Sequence, residues 1–161
     1  MRYAPRLALI LLMVSAGRNV FAANNVPVPP HCTPQVNQKL ADLLAQHPRQ
    51  NVDNVMACGI ATQNTQVRRG GPHGSHHITT IAVKLPNGQT VNVQTVTNDD
   101  LDGPVTAQAN DPVFAYGQGY IANGRWAAGI HDTHCSTHRG ADNGWVLVAG
   151  VKTPKSCANF R

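Results

Sequence analysis

His77-Ile-Thr-Thr-Ile-Ala-Val-Lys-Leu85 is followed by Pro86-Asn87-Gly88 and then Gln89-Thr-Val-Asn-Val-Gln-Thr95. The first run alternates, so His77, Thr79, Ile81, Val83 and Leu85 share one face of a strand. Asn-Gly readily takes positive φ and turns the chain. In the return strand, Val91, Val93 and Thr95 face one way, and Asn92 and Gln94 the other. This hairpin sets the class, because period-two alternation about a tight turn describes an antiparallel sheet with one buried face.

Outward from the hairpin, the same signals recur. Asn54 to Thr62 (NVMACGIAT) precedes it as a strand candidate, and a polar, glycine-rich, basic loop over Thr62 to Ser75 lies between. After it come a loop with acidic residues from Asn98 to Asp111, a strand over Val113 to Ile121, and an Asn123-Gly124 turn into Trp126 to His131. A polar loop over Asp132 to Gly144 leads to a closing strand, Trp145 to Val151. Ahead of all this, Thr33-Pro34 reads as a helix cap with proline at the first position. Val36, Leu40, Leu43 and Leu44 keep helical spacing over Gln35 to His47, and Pro48 stops the helix. The expectation is a mainly β protein: a small OB-like antiparallel barrel of five or six strands with one N-terminal amphipathic helix. Residues 35–161 form this single domain, and 23–34 (with VPVPPHCTP) read as a proline-rich linker.

Residues 1–22 have the form of an export signal. Arg2 and Arg6 precede the apolar Leu7 to Val14, and Val20-Phe21-Ala22 offers a cleavage position after Ala22. The apolar run is too short to span a bilayer, so no membrane insertion is expected and the product is secreted or periplasmic. Four cysteines, Cys32, Cys58, Cys135 and Cys157, suit that compartment as two disulfides. Of three possible pairings, the sequential one, Cys32–Cys58 and Cys135–Cys157, is expected. The rival reading makes Cys135 a metal ligand. With 161 residues the chain is too short for two enzyme domains or a long membrane bundle. Setting aside Arg2, Arg6 and Arg18 leaves ten Lys/Arg against eight Asp, which excludes a strongly basic nucleic-acid binder but leaves room for a local patch.

The chemistry-bearing residues are histidines. Gly71-Pro-His-Gly-Ser-His-His77 forms one group and His131-Asp-Thr-His134-Cys-Ser-Thr-His138 the other. Each contains an H-x-T pair, His77/Thr79 and His131/Thr133, whose members lie on one side of a strand. Two such pairs facing each other suit phosphodiester chemistry, with one imidazole taking a proton and the other giving one. In that reading His77, His131, Thr79 and Thr133 are catalytic, and Arg68, Arg69 and His134 hold phosphate. The tetrapeptides resemble those of two-histidine phosphoesterases. A second reading places a divalent metal, zinc or copper, on His77, His131 and His134. A third is a non-catalytic OB-like module for an oligonucleotide, a glycan or a protein. Phe114, Tyr116 and Tyr120 share one parity of their strand, either as an exposed stacking platform or as core; Trp126 and Trp145 read as core.

Gly74-Ser75-His76-His77, Gly88-Gln89-Thr90, Val113 to Gly117, His131-Asp132-Thr133-His134 and Asn143-Gly144-Trp145-Val146 occur in that order over more than half the chain. In this the chain resembles an uncharacterised family of secreted bacterial proteins with G-S-x-H, H-x-T-H and D/N-G-W motifs. The resemblance implies an OB-like barrel and points to His77, His131 and His134. It departs from the pattern at Asp132 (an aromatic), Cys135 (a histidine) and Asn143 (an aspartate), and it brings no established activity.

Overall fold

The computed structural model describes residues 24–71, 74–137 and 141–157. The export-signal reading of 1–22, and His73 and His138, lie outside the described residues. A 3-10 turn, Pro34–Asn37, runs into helix α1, Gln38–Gln46. Proline opens the turn as expected, but the Thr33 side chain makes no capping bond. His47 ends the helix in the left-handed conformation, its N–H on the Leu43 carbonyl. Among the described residues eight strands follow: β1 Val52–Ala61, β2 Gln66–Arg68, β3 His76–Lys84, β4 Thr90–Asn98, β5 Pro112–Ile121, β6 Ala128–His131, β7 Trp145–Val148 and β8 Val151–Thr153.

Five of them close into a barrel. β1 pairs with β3, β3 with β4, β4 with β6, β6 with β5, and β5 returns to β1. All these pairs are antiparallel except β4–β6. Counted along the barrel the ring order is 1-2-3-5-4-1, closed by a parallel pair between the third and fifth strands, which is the OB-type Greek-key arrangement. Inward-facing Val55, Ala57, Ile81, Val83, Val93, Val113, Ala115 and Ile130 fill it, with Leu40 and Leu43 of α1 packed against them.

Two details show how the barrel closes. β1 and β3 share only the Ile60–Ala82 and Ala61–Ile81 registers. Beyond these the strands part, and the buried Asn37 side chain joins them. Its amide donates to the carbonyls of Cys58 (3.1 Å) and Lys84 (3.0 Å), while its oxygen accepts the Cys58 N–H at 2.7 Å. The start of the helical segment thus supplies the missing rungs of the ladder. Cys32–Cys58 locks the same region, and Cys135–Cys157 ties the end of the chain to the loop after β6. The expected sequential pairing is the one present, and it removes Cys135 as a metal ligand. Each bridge closes a loop of the size that contributes about 3 kcal/mol.

The strand count exceeds the expectation. The basic loop over 62–75 contains β2, a short exposed strand on the edge of β3. The closing strand is two: Ala149 and Gly150, both at positive φ, turn β7 back into β8. At the first hairpin only Gly88 takes positive φ, after a turn closed by Gly88 N–H to Leu85 O. The proline-rich segment is docked rather than free. Asn25 bridges to Asn143, and the Val26 carbonyl accepts the Trp145 indole N–H at 2.9 Å. Val26 and Val28 cover a second cluster of Cys58, Phe114, Tyr116 and Trp145 on the outside of the barrel. Trp126 is only half-buried, under Arg125.

Candidate functional site

Strand alternation divides the two adjacent histidines of β3. His77 shares parity with Ile81 and Val83 and so points into the barrel, its side chain only 7% exposed. Its Nε2 lies 2.8 Å from Asp99 Oδ1. Nδ1 is buried without a partner among the described residues, as is the Oγ1 of Thr97, the residue opposite it in register. Thr79, also inward, shares a 2.7 Å hydrogen bond with Thr65, whose oxygen takes the Ala107 N–H. This end of the interior is polar, but it is closed over.

His76 points the other way. In register it stands between Arg68 of β2 and Asn98 of β4, so the three form one outward row. Across β4 lies His131, on the outward parity of β6 because Ile130 is core. His76, Val96, Asn98, Tyr120, His131 and Asn51 line an open groove of about 380 Å³ on the outer face. Tyr120 flanks it, its hydroxyl accepting from Gln94 at 2.8 Å, its ring edge-on to His131 at 5.2 Å. Gly129 opposes Tyr120 in register, and a Cβ there would overlap the tyrosine ring. The glycine is what lets the ring lie on the sheet. At the edge of this face Arg125 donates to Gln66 of β2 (2.9 Å) and stacks over Trp126, whose indole donates to Thr80. Arg69 is exposed just beyond β2.

Behind the groove sits a polar knot. His131 Nδ1 is 3.0 Å from Asp132 Oδ1, and its Nε2 is 3.1 Å from the Asn51 amide nitrogen. The same Asp132 oxygen lies 3.7 Å from His134 Nε2, while His134 Nδ1 meets the Cys135 carbonyl at 2.9 Å. Both His134 nitrogens therefore face acceptors, and the protonated ring satisfies both. The Asp132 carboxylate beside it raises the His134 pKa above its ordinary 6.5, against the pull of burial. Hydrogen bonds from His131 and His134 hold the Asp132 carboxyl well below the usual carboxylate range. Thr133, fully buried, donates to Asp102 at 2.9 Å, and Asp102 takes the Asn98 N–H at 2.7 Å. Burial pushes the Asp102 pKa up, although those two hydrogen bonds oppose it.

The chain must bend sharply to form this knot. Asp132 lies at φ 52°, in the left-handed region. A Cβ on Gly117 would sit 2.3 Å from the His131 carbonyl oxygen, and one on Gly144 would sit 2.2 Å from that of Asp132. Asn143 takes the Ser136 N–H, and the Gly144 N–H donates to His134 O. Residues far apart in sequence (Gly117, His131 to His134, Asn143, Gly144) thus meet at one place.

The sites expected from sequence are accordingly rearranged. His77 and His131 stand on opposite sides of the sheet, so the expected proton-exchanging pair is not assembled. Thr79 and Thr133 are structural hydroxyls, turned away from the groove. His134 is buried behind it, beside Gly117 and Ser136. Among the described residues no three of His, Cys, Asp or Glu converge to hold a metal ion. The zinc or copper triad of His77, His131 and His134 is therefore not brought together. Arg68 stands on the same outward row as His76. His76 is the member that motif reading missed, because H-x-T selected its neighbour. The signal available was the His-His pair itself, of which alternation must send one ring outward.

Comparison with protein-family models, with curated proteins and with solved structures finds no match.

Proposed function

We propose that the chain is an exported OB-like binding module that holds a single-stranded nucleic acid across the outer face of β3 and β4. The observation that carries this is the groove of His76, Asn98, Tyr120 and His131, bordered by Arg68 and Arg125. In an OB barrel the outer face of the second and third barrel strands, with the first and fourth connecting loops, is the surface used for oligonucleotides and oligosaccharides. Here those strands are β3 and β4. The first connection carries Arg68 and Arg69, and the fourth carries Arg125 and Trp126. Cations that follow a phosphate backbone, beside aromatic rings that stack on bases, are what single-strand binding needs. Two disulfides fit an oxidising compartment. Among the described residues no helix is long and apolar enough to cross a membrane.

The test is fluorescence anisotropy with a labelled single-stranded oligonucleotide of about twelve nucleotides, within the range of OB footprints. Saturable binding that weakens with salt and is reduced by Arg68→Ala is expected. Binding unchanged by Arg68→Ala, or absent at low salt while a neutral oligosaccharide binds, would overturn the choice of ligand.

A further inference from the structure

We propose that the groove also cleaves RNA, using His131 as the base and His76 as the acid, with the ribose 2′-hydroxyl as the nucleophile; this rests on the binding reading above. The hydrogen-bond pattern of His131 decides its role. Asp132 accepts at Nδ1, so that nitrogen keeps its proton. Nε2 is then the ring's lone-pair atom, and it faces outward, where the exposed Asn51 amide donates to it. Asn51 also donates to Gln118 at 2.8 Å, so its amide is a polar cover that a ligand hydroxyl can replace. Asp132 is a positioning residue, held between two imidazoles by the knot described above.

His76 lines the same groove from β3, two strand spacings across and two residues along from His131, or about 12 Å between backbones. Two ring side chains that line one groove on either side of Val96 and Asn98 can bracket one phosphate. Arg68, beside His76 in register, places a guanidinium at the same edge. Gly71 lies against the His76 ring, where a Cβ would come within 3.1 Å of Cε1.

The step balances without a metal or a second reactant. His131 Nε2 takes the 2′-hydroxyl proton, the 2′-oxygen forms a bond to phosphorus, and the bond from phosphorus to the 5′-oxygen breaks. Protonated His76 gives its proton to that departing oxygen. The products are a 2′,3′-cyclic phosphate and a free 5′-hydroxyl. DNA, lacking the 2′-hydroxyl, binds but is not cut.

The experiment incubates the purified chain with a labelled single-stranded RNA, and with DNA of the same sequence, in the presence of EDTA. Binding is measured in parallel on a non-cleavable 2′-O-methyl version. Mass spectrometry should find the cyclic phosphate from RNA and no product from DNA. His131→Ala and His76→Ala should each slow cleavage by about a hundredfold or more, the scale of lost acid–base catalysis, when measured at RNA concentrations that saturate each variant's own binding to the non-cleavable strand. If either alanine variant melts early, the glutamine variant takes its place. Binding with no cleavage overturns this inference and leaves the binding reading standing. Neither binding nor cleavage overturns both. Cleavage of DNA at the same rate, or cleavage undiminished in both variants, overturns the assignment to these residues and this nucleophile.

Discussion

Strand β5 carries aromatic side chains outward at both of its ends, and the two ends have different fates. At Phe114 and Tyr116 the N-terminal segment lies over them. Val26, Val28 and Trp145 bury the rings, and the Tyr116 hydroxyl donates to Asp142 at 2.6 Å. At Tyr120 no such cover is present among the groove-lining residues, and the ring borders an open depression with two imidazoles. One end is a second core, and the other is a surface. The same parity and the same residue class lead to different roles, according to what else the chain brings over the strand. Stability should therefore depend on the covered end and ligand binding on the open one.

The sharpest way to break that division is to remove the centre of the covered end. Trp145 is 1% exposed, and Trp145→Ala is expected to cost about 3–5 kcal/mol, as large-to-small core changes do. Denaturant unfolding of the variant checks this. Next comes the knot. Gly144→Ala forces a Cβ onto the Asp132 carbonyl, with no flexible side chain to give way. A loss of about 1–3 kcal/mol is expected for such overpacking, read as a lowered melting temperature.

The His134–Asp132 pair gives the fold a pH window. The His134 pKa is raised above 6.5, so its contribution is complete below 6.5 and is lost as pH rises through the folded value. The Asp132 pKa is lowered from 3.8, so its contribution is complete above 3.8 and is lost as pH falls below it. Asp102 works in the opposite sense. Its pKa is raised, so its burial detracts from stability as pH climbs above 3.8. The pair is strongest between 3.8 and 6.5. Melting temperatures of the wild type and of Asp132→Asn across pH 3 to 9 should differ most inside that window, draw together as pH rises above it, and only begin to narrow at pH 3, because the folded Asp132 carboxyl is still ionised there. A constant difference would remove the pair from the account of stability. The smallest effect belongs to the open face. Arg125→Ala should leave stability within about 0.5 kcal/mol, as surface changes do. It should also lower the slope of log affinity against log salt by about one, the signature of one lost phosphate contact.

The hairpin of β3 and β4 was fully legible, because period-two alternation and an Asn-Gly turn are local signals. So was the helix, with its proline start and Pro48 stop, although its first turn is 3-10 and Thr33 does not cap it; the disulfide pairing was one of the three that four cysteines allow. β2 was not, since three exposed residues carry no alternation against a core. The break between β7 and β8 hid in an apolar run whose Ala149-Gly150 turn lacks the usual asparagine. Parity correctly separated Val113 and Ala115 from Phe114 and Tyr116. It could not show that Val26 and Val28 would cover the latter, because that contact spans most of the chain.

The site was legible in composition and not in placement. Histidine abundance marked the segments that line the proposed groove. The choice between His76 and His77 depends on which parity faces inward, and the H-x-T spacing carries no such information. Shifting the assignment by one residue moves the imidazole through the sheet. Gly117 and Gly144 meet the Asp132 bend only in three dimensions, so no local pattern announces why they lack side chains.

The most direct test of the division between surface and second core is a titration of isotopically labelled protein with a single-stranded oligonucleotide, followed by NMR shifts residue by residue. Shifts centred on His76, Val96, Asn98, Tyr120 and His131, with Tyr116 and Trp145 unmoved, are expected. Shifts centred on Tyr116 and Trp145, with the groove silent, would contradict it.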